Sequence, residues 1–147
     1  MYHPPDTVSN YIKNLASTAQ EAQVTDKHGC SLSLDDAAER VVQMILHLKT
    51  TTGKVMVIGN GGSSAIASHT QNDLCKAVGV RGIVFNEQPL LMALANDDGY
   101  DTVFEKPIVL WAESGDLLIA ISSSGQSQNI LRATRAAIAN QCDVIRL

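Results

Sequence analysis

Cysteine and aromatic residues are scarce in this sequence, and each shortage excludes a class of protein. The 147 residues include 3 Cys, which lie far apart and in no C-x-x-C spacing. This pattern argues against a disulfide framework or a structural zinc site, so we expect reduced thiols with core-like packing. With 1 Trp, 3 Tyr and 2 Phe, the core is left to Ala, Val, Ile and Leu, as in parallel α/β layers.

Long apolar runs and blocks of like charge are also missing. Lys and Arg number 11 against 15 Asp and Glu, and they are scattered along the chain, so neither nucleic acid nor a membrane surface is the expected partner. No apolar run approaches the roughly 20 residues of a membrane helix. Residues 1–6 lack the layout of a signal peptide. We expect a cytoplasmic protein with one hydrophobic core.

Hydrophobic periodicity predicts two leading helices followed by alternating strands and helices. Ser33 precedes Asp36 in capping-box spacing at the start of the second helix, and a polar loop is expected around residues 25–29. The predicted helices are 6–23, 33–50, 63–78, 89–95, 100–111 with an interruption at Pro107, and 127–140; the predicted strands are 54–58, 82–86, 116–121 and 142–147. This alternation predicts an α/β fold, a three-layer doubly wound parallel sheet with ligands at the carboxyl ends of its strands.

Two of these strands are followed by similar loops that lead directly into helices. Residues 59–64 read Gly-Asn-Gly-Gly-Ser-Ser, and residues 122–127 read Ser-Ser-Ser-Gly-Gln-Ser. Either loop alone is also explained by good turn and N-cap residues. Together they predict a phosphate site, because glycine allows close approach and a helix N-terminus offers unpaired N–H groups. The dinucleotide and nucleoside triphosphate motifs are absent, which favours a phosphorylated small molecule.

His69 and Asp73 lie four residues apart and therefore project from the same face of the predicted helix. An imidazole and a carboxylate at this spacing can share a metal ion or transfer a proton. The same spacing is also common in ordinary surface contacts. Residues 96–99, Asn-Asp-Asp-Gly, are typical of a helix end followed by a turn.

Residues 54–63, His69, residues 95–97 and residues 115–127 together resemble the SIS (sugar isomerase) domain family, and within it the isomerases of phosphorylated heptoses. The resemblance covers essentially the whole chain. It implies a flavodoxin-like sheet, a homotetramer with active sites between subunits, and isomerisation of sedoheptulose 7-phosphate to a heptose 7-phosphate through an enediol, as in lipopolysaccharide heptose biosynthesis. Residues 1–53 are then a helical segment that packs on the domain and at the oligomer interface, and residues 54–147 are the SIS domain.

The resemblance also implies roles for individual residues. His69 matches a zinc ligand, and Asp73 stands where the family has a glutamate that is both catalytic base and metal ligand. No organic cofactor is implied. The substrate-binding positions are Asn60, Gly61, Gly62, Ser63, Asn96, Asp97, Ser122, Ser123, Ser124 and Ser127.

The chain departs from the family at two points. Asp73 is one methylene shorter than glutamate, and a displacement of roughly 1 Å can cost on the order of a hundredfold in rate. The family's further strand and its long helix, which carries a glutamine and a histidine, do not follow Leu147, so we expect a fragment of a longer protein. A non-catalytic sugar-phosphate sensor or interaction scaffold is the alternative. A flavodoxin-like redox protein is disfavoured by the sparse aromatic residues.

Overall fold

The computed structural model describes residues 7–147 in two compact units, one ending at Val42 and the other running from Gln43 to Leu147. The predicted start of the first helix at residue 6 lies outside the described residues. Among residues 7–147, no helix has both the length and the hydropathy needed to cross a membrane. The predicted packing of residues 1–53 on the domain and at an oligomer interface stays a prediction.

The first unit contains helix α1 (Val8–Gln20), a two-stranded antiparallel hairpin and the start of helix α2 (Leu34–Leu48). The hairpin strands β1 (Val24–Thr25) and β2 (Ser31–Leu32) flank the expected polar loop. They were not predicted, because two residues are too few to show alternation. Asp26 closes the turn by accepting the N–H of Cys30 at 2.9 Å and of His28 at 2.8 Å, which lowers the pKa of its carboxyl.

The predicted cap of α2 is confirmed. The Ser33 hydroxyl accepts the Asp36 N–H at 3.0 Å and donates to the Asp36 carboxylate at 2.7 Å. The hydroxyl therefore satisfies one of the N–H groups that have no partner within the helix.

The second unit is built on four parallel strands in the order β4-β3-β5-β6. This arrangement confirms the predicted α/β class, with helices on both faces of a parallel sheet. One π-helical turn, Leu74–Val78, continues α3, and a 3₁₀ turn, Tyr100–Thr102, follows α4. The elements are β3 (Val55–Gly59), α3 (Gly62–Asp73), β4 (Gly82–Val84), α4 (Gln88–Asp98), α5 (Glu105–Trp111), β5 (Leu117–Ile121), α6 (Gln128–Ala139) and β6 (Asp143–Arg146).

Both faces of the sheet are buried, which is why β3 is apolar throughout its length. Successive side chains of a strand point to opposite faces. Met56 and Ile58 join one cluster, whose other members include Phe104, Ile108 and Ile130. Val55 and Val57 join the opposite cluster, with Leu48, Ala67 and Leu74 among its members. The result is the expected three layers.

One expectation about an individual residue type is wrong, and another holds only in part. Pro107 does not interrupt a helix, because it lies buried in the first turn of α5, where a backbone N–H has no acceptor within the helix. The interruption instead falls at residues 103 and 104, between the 3₁₀ turn and α5. Cys30 and Cys75 are exposed rather than packed in the core, whereas Cys142 is half-buried and packs against the core cluster that contains Met56 and Ile58, as expected.

The amino ends of β3 and β5 are joined by a buried ion pair. Asp116 is fully buried and accepts the Lys54 ammonium at 2.6 Å, the Lys54 N–H at 2.9 Å and the Glu113 N–H at 2.8 Å. The Cys142 thiol donates to the Glu113 carbonyl at 3.4 Å, and burial raises its pKa to about 11. At this edge of the sheet, the buried carboxylate of Asp116 is therefore balanced by a cation and by backbone hydrogen bonds.

Candidate functional site

The loop after β3 depends on two glycines. A Cβ on Gly59 would lie 2.7 Å from the Cβ and the carbonyl carbon of Ser63, so α3 can begin this close to the strand only because residue 59 is glycine. Gly61 adopts a positive φ of 53°, which side chains rarely allow. The backbone therefore turns sharply between the strand end and the first turn of α3.

The loop after β5 ends at the start of α6. Gly125 has a φ of 63°, and the Ser124 hydroxyl accepts the Gln126 N–H at 3.2 Å. Ser127 is the N-cap residue of α6, but its side chain makes no capping hydrogen bond. The Ser127 hydroxyl and the first N–H groups of α6 can therefore serve a ligand.

The two loops meet through a pair of asparagine side chains. The Asn60 amide donates to the Asn129 oxygen at 3.0 Å, and the Asn129 amide donates back to the Asn60 oxygen at 2.8 Å. The Tyr100 hydroxyl also donates to the Asn60 oxygen, at 3.1 Å. Asn129 is only 2% exposed, so this pairing compensates for the burial of its amide.

A cleft of about 380 Å³ opens at this junction. Its polar groups are amides, hydroxyls and one carboxylate. They come from the segments that follow the carboxyl ends of β3 and β5 and from the 3₁₀ turn at Tyr100–Thr102. The lining residues are Asn60, Tyr100, Asp101, Ser127, Gln128 and Asn129.

A second cleft of about 390 Å³ shares Asp101 and Gln128 with the first. It also contains Arg132, whose guanidinium donates to Glu105 at 2.6 Å and to Asp101 at 2.5 Å. The hydrogen bond to Glu105, followed by the one to Asp101, raises the pKa of Arg132 above its ordinary value. The carboxylate that faces the first cleft is thus already neutralised by a cation.

The structure brings only some of the predicted site residues together. Asn60 and Ser127 line the first cleft. The other predicted loop residues lie beside it in the chain and do not line either cleft: Gly61, Gly62 and Ser63 at the start of α3, and Ser122, Ser123 and Ser124 after β5.

Asn96 and Asp97 lie in the last turn of α4, exposed and hydrogen-bonded to each other at 2.7 Å. They line neither cleft, so their predicted contact with the sugar stays a prediction. The helix ends at Asp98 with Gly99 as its C-cap residue, three residues beyond the predicted end at residue 95, so residues 96–98 belong to the helix rather than to a turn after it.

Tyr100, Asp101 and Asn129 line the cleft but were not predicted from the sequence. Each lies next to a recognised motif: the first two follow the Asn-Asp-Asp-Gly segment, and Asn129 follows Ser127 by two positions. The distance of Tyr100 and Asn129 from the first loop along the chain hid their contacts with Asn60. Asn129 lies in the first turn of the helix that follows the second loop, and a polar residue at such a position is a sequence signal for it.

His69 and Asp73 face each other on α3 with 3.6 Å between the imidazole Nε2 and a carboxylate oxygen. Their side chains are 78% and 56% exposed, and they line neither cleft. A nitrogen and an oxygen donor suit zinc, but a protein zinc site uses about three or four protein ligands. No group of three His, Cys, Asp or Glu residues gathers in the described chain, so the pair does not by itself fit a zinc site.

A model of the SIS domain family matches residues 10–147 of the chain. The phosphoheptose isomerase of Thiobacillus denitrificans is 32% identical over 133 residues, which cover 86% of this chain and 68% of that protein. The phosphoheptose isomerase of Shewanella sediminis is 29% identical over 130 residues, which cover 84% of this chain and 66% of the relative. The chain thus spans about two thirds of the length of such relatives.

Two solved structures share the fold. A phosphoheptose isomerase from Francisella tularensis superposes with a TM-score of 0.78 at 25% identity, covering 97% of this chain and 74% of that one. The phosphoheptose isomerase from Neisseria gonorrhoeae superposes with a TM-score of 0.74 at 27% identity, covering 94% of this chain and 67% of that one.

Proposed function

The chain belongs to the SIS domain family, and from that premise we propose that it is an aldose–ketose isomerase for a phosphorylated sugar. Sedoheptulose 7-phosphate is the proposed substrate and a heptose 7-phosphate the product. The distant relatives named phosphoheptose isomerase support this choice of substrate class.

The meeting of two glycine- and serine-containing strand ends in one cleft carries this proposal. Asn60 comes from the end of β3 and Ser127 from the loop after β5, and both line the cleft. Parallel β3 and β5 are neighbours, so their carboxyl ends lie side by side. Ser127 and the free N–H groups of α6 offer neutral donors to a phosphate, whose charge the helix N-terminus also favours.

The proposed reaction moves hydrogen without loss of any atom. A base removes a proton from C1 of the ketose, and the electrons of that C–H bond form the enediol. An acid returns a proton to C2, while a hydroxyl proton passes from O1 to O2, so that the carbonyl moves to C1. Asp73 is the proposed base, by its position in the family match. Its exposure outside the cleft means that a single copy does not bring it to the bound sugar.

A site shared between copies of the chain resolves this separation, and we include a homotetramer in the proposal. The described part of α1 supports it, because its apolar side chains are exposed among the described residues. Four of them are more than half exposed: Val8, Tyr11, Ile12 and Leu15. Apolar side chains recurring on one helix face are typical of a surface that packs against a partner. Zinc binding by His69 and Asp73 stays a prediction.

The alternative is a SIS domain that binds a sugar phosphate without converting it. The exposure of Asp73 and the lack of a third ligand near His69 in the described chain favour this alternative. Both the isomerase and the non-catalytic binding protein need the first cleft, but only the isomerase needs the Asp73 carboxylate. Substitution at Asp73 therefore distinguishes them.

Proton abstraction can be measured directly. The protein is incubated with sedoheptulose 7-phosphate in D₂O, with and without zinc, and deuterium at C1 is followed by NMR. We expect incorporation by the unaltered protein, loss of incorporation in Asp73→Asn, and faster turnover in Asp73→Glu, which restores the reach of the family's glutamate. Asp35→Asn, an exposed carboxylate in the first turn of α2, is the matched control and should retain incorporation.

Saturable binding of the sugar phosphate without deuterium uptake would contradict the isomerase and support the non-catalytic alternative. Absence of binding would contradict both. Equal uptake in Asp73→Asn and the unaltered protein would remove Asp73 from the proposed mechanism.

A further inference from the structure

A circuit of side-chain contacts, completed by the backbone between residues 100 and 101 and between residues 129 and 132, lies beside the first cleft. Asn129 on α6 pairs with Asn60 through two hydrogen bonds, at 3.0 and 2.8 Å. Tyr100 donates to Asn60 at 3.1 Å, and the neighbouring Asp101 accepts from Arg132 at 2.5 Å. Arg132 lies three residues beyond Asn129 and so shares its face of α6, which closes the circuit.

Each oxygen of the asparagine pair is fully used. The Asn60 oxygen accepts from the Asn129 amide and from Tyr100, and the Asn129 oxygen accepts from the Asn60 amide and from the Ile130 N–H at 3.0 Å. A side-chain amide with both acceptor positions occupied has one favoured orientation. The remaining N–H of Asn60 is therefore aimed in a set direction before any ligand arrives.

The circuit links three segments that are far apart in the chain. It joins the turn after β3, the 3₁₀ turn at Tyr100–Thr102 and the first turns of α6. The turn after β3 and the start of α6 carry the donors of the proposed phosphate site. Donors held in place before binding lose little freedom when the ligand arrives, which strengthens binding.

From this geometry we propose that Tyr100, Asn129 and Arg132 are positioning residues, which hold the two donor-bearing turns at a fixed separation for the phosphate. None of the three was assigned a role by the sequence motifs. This inference rests on the proposed function for the identity of the ligand. It adds that affinity depends on contacts made within the protein, beside those made to the sugar phosphate.

Tyr100→Phe is the sharpest test, because it removes one hydroxyl from a side chain that is 54% exposed. Ser114→Ala is its matched control: the Ser114 hydroxyl also donates to a side-chain amide oxygen, that of Gln141, at 3.1 Å, but at the amino edge of the sheet. Two readouts are compared: the dissociation constant for sedoheptulose 7-phosphate, and amide hydrogen exchange of residues 61–63 and 128–129. The urea midpoint reports global stability.

We expect Tyr100→Phe to weaken binding about 3- to 10-fold and to accelerate exchange in the two turns by a similar factor, as for loss of one neutral hydrogen bond. The urea midpoint should move no more than in Ser114→Ala. Arg132→Gln should have a comparable effect on binding and exchange. The double variant should be less affected than the two single changes predict together, because both break one circuit.

Sugar-phosphate binding by the unaltered protein separates the positioning role of Tyr100 from the proposed function. If the unaltered protein binds the sugar phosphate and Tyr100→Phe binds it equally well, the positioning role is overturned. If the unaltered protein does not bind it, the proposed function fails, and hydrogen exchange alone decides the positioning role. Faster exchange in the two turns then supports that role, and exchange equal to that of Ser114→Ala overturns it.

Discussion

The two edges of the parallel sheet treat polar groups in opposite ways. At the amino edge, the carboxylate of Asp116 is fully buried and surrounded by the ammonium of Lys54 and two backbone N–H groups. At the carboxyl edge, Asn60 and Ser127 are half-buried and open into a cleft. One edge uses its polar groups to compensate for burial, and the other leaves some of them available.

We therefore expect polar groups at the amino edge to contribute mainly to the stability of the fold, and those at the carboxyl edge to contribute mainly to ligand binding. A buried carboxylate that loses its partners is costly, so the amino edge should be sensitive to substitution in the free energy of unfolding. Removing a neutral hydroxyl at a solvent-facing helix end should change the free energy of unfolding little. The same hydroxyl is one of few donors that a phosphate can use. The four predictions below test this separation, from the largest expected effect on the protein to the smallest.

Asp116→Ala should lower the free energy of unfolding by about 3–5 kcal/mol, because it leaves the Lys54 ammonium and two backbone N–H groups without their acceptor. Urea denaturation measures this change. Glu113→Gln is the control, since Glu113 also contacts the Lys54 ammonium, at 3.5 Å, but is 74% exposed. It should cost about 0–1 kcal/mol. Similar losses in the two variants would contradict the distinction between buried and exposed partners.

Gly59→Ala should destabilise the fold by about 1–3 kcal/mol, because the new Cβ would lie 2.7 Å from atoms of Ser63 and force α3 away from the strand end. It should also weaken sugar-phosphate binding. In Gly62→Ala the Cβ meets nothing within 4 Å, and stability should change by no more than about 0.5 kcal/mol. Urea denaturation measures the stability of both variants. An equal loss in the two would show that close packing against Ser63 is not the reason for glycine at position 59.

Ser33→Ala and Ser127→Ala should have opposite consequences, although both remove an N-cap hydroxyl. Ser33 caps α2 through the Asp36 N–H, so its loss should cost about 0.5–2 kcal/mol of stability and leave binding unchanged. Ser127 makes no capping hydrogen bond. Its loss should leave stability nearly unchanged and weaken sugar-phosphate binding about 10-fold. Calorimetric titration and urea denaturation measure both quantities, and unaltered affinity in Ser127→Ala would remove that hydroxyl from the site.

The reactivity of the Cys142 thiol should show how well the amino edge of the sheet is buried, without any substitution there. Its pKa is raised to about 11 by burial from an ordinary 9.0, so at pH 8 its thiolate fraction is about 100-fold smaller than that of an ordinary thiol. Iodoacetamide should therefore modify Cys142 far more slowly than exposed Cys30, as followed by mass spectrometry. Because the folded-state pKa is raised, the stability gained from the neutral thiol is complete below about pH 8.5 and is lost as the pH rises towards 11. Equal modification rates at pH 8 would contradict this burial.

Much of the fold was predictable because it rests on local patterns. The buried strands β3 and β5 are short apolar runs, α2 begins at a recognisable cap, and the strands alternate with helices. The hairpin β1–β2 escaped prediction because its strands are only two residues long. Pro107 was misassigned because its effect depends on where the helix begins, and a one-turn shift makes the residue harmless.

The candidate site was predictable only in part. The two loops were identified by their glycine and serine residues, and Asn60 and Ser127 do line one cleft. The partners that orient Asn60 were not identified, because Tyr100 and Asn129 lie 40 and 69 residues away along the chain. His69 and Asp73 did meet as their helical spacing predicted, but that spacing could not show that they lie exposed and outside both clefts.

The sequence by itself determined the longer helices and strands, the parallel sheet and the two loops suited to an anion, because hydrophobic spacing, glycine and N-cap residues act over a few neighbouring positions. The tertiary structure alone decided which polar side chains face each other: the Lys54 and Asp116 pair at one edge, and the circuit of Asn60, Tyr100, Asn129 and Arg132 at the other. Such pairings depend on strand order and register. These bring together residues that no local pattern connects.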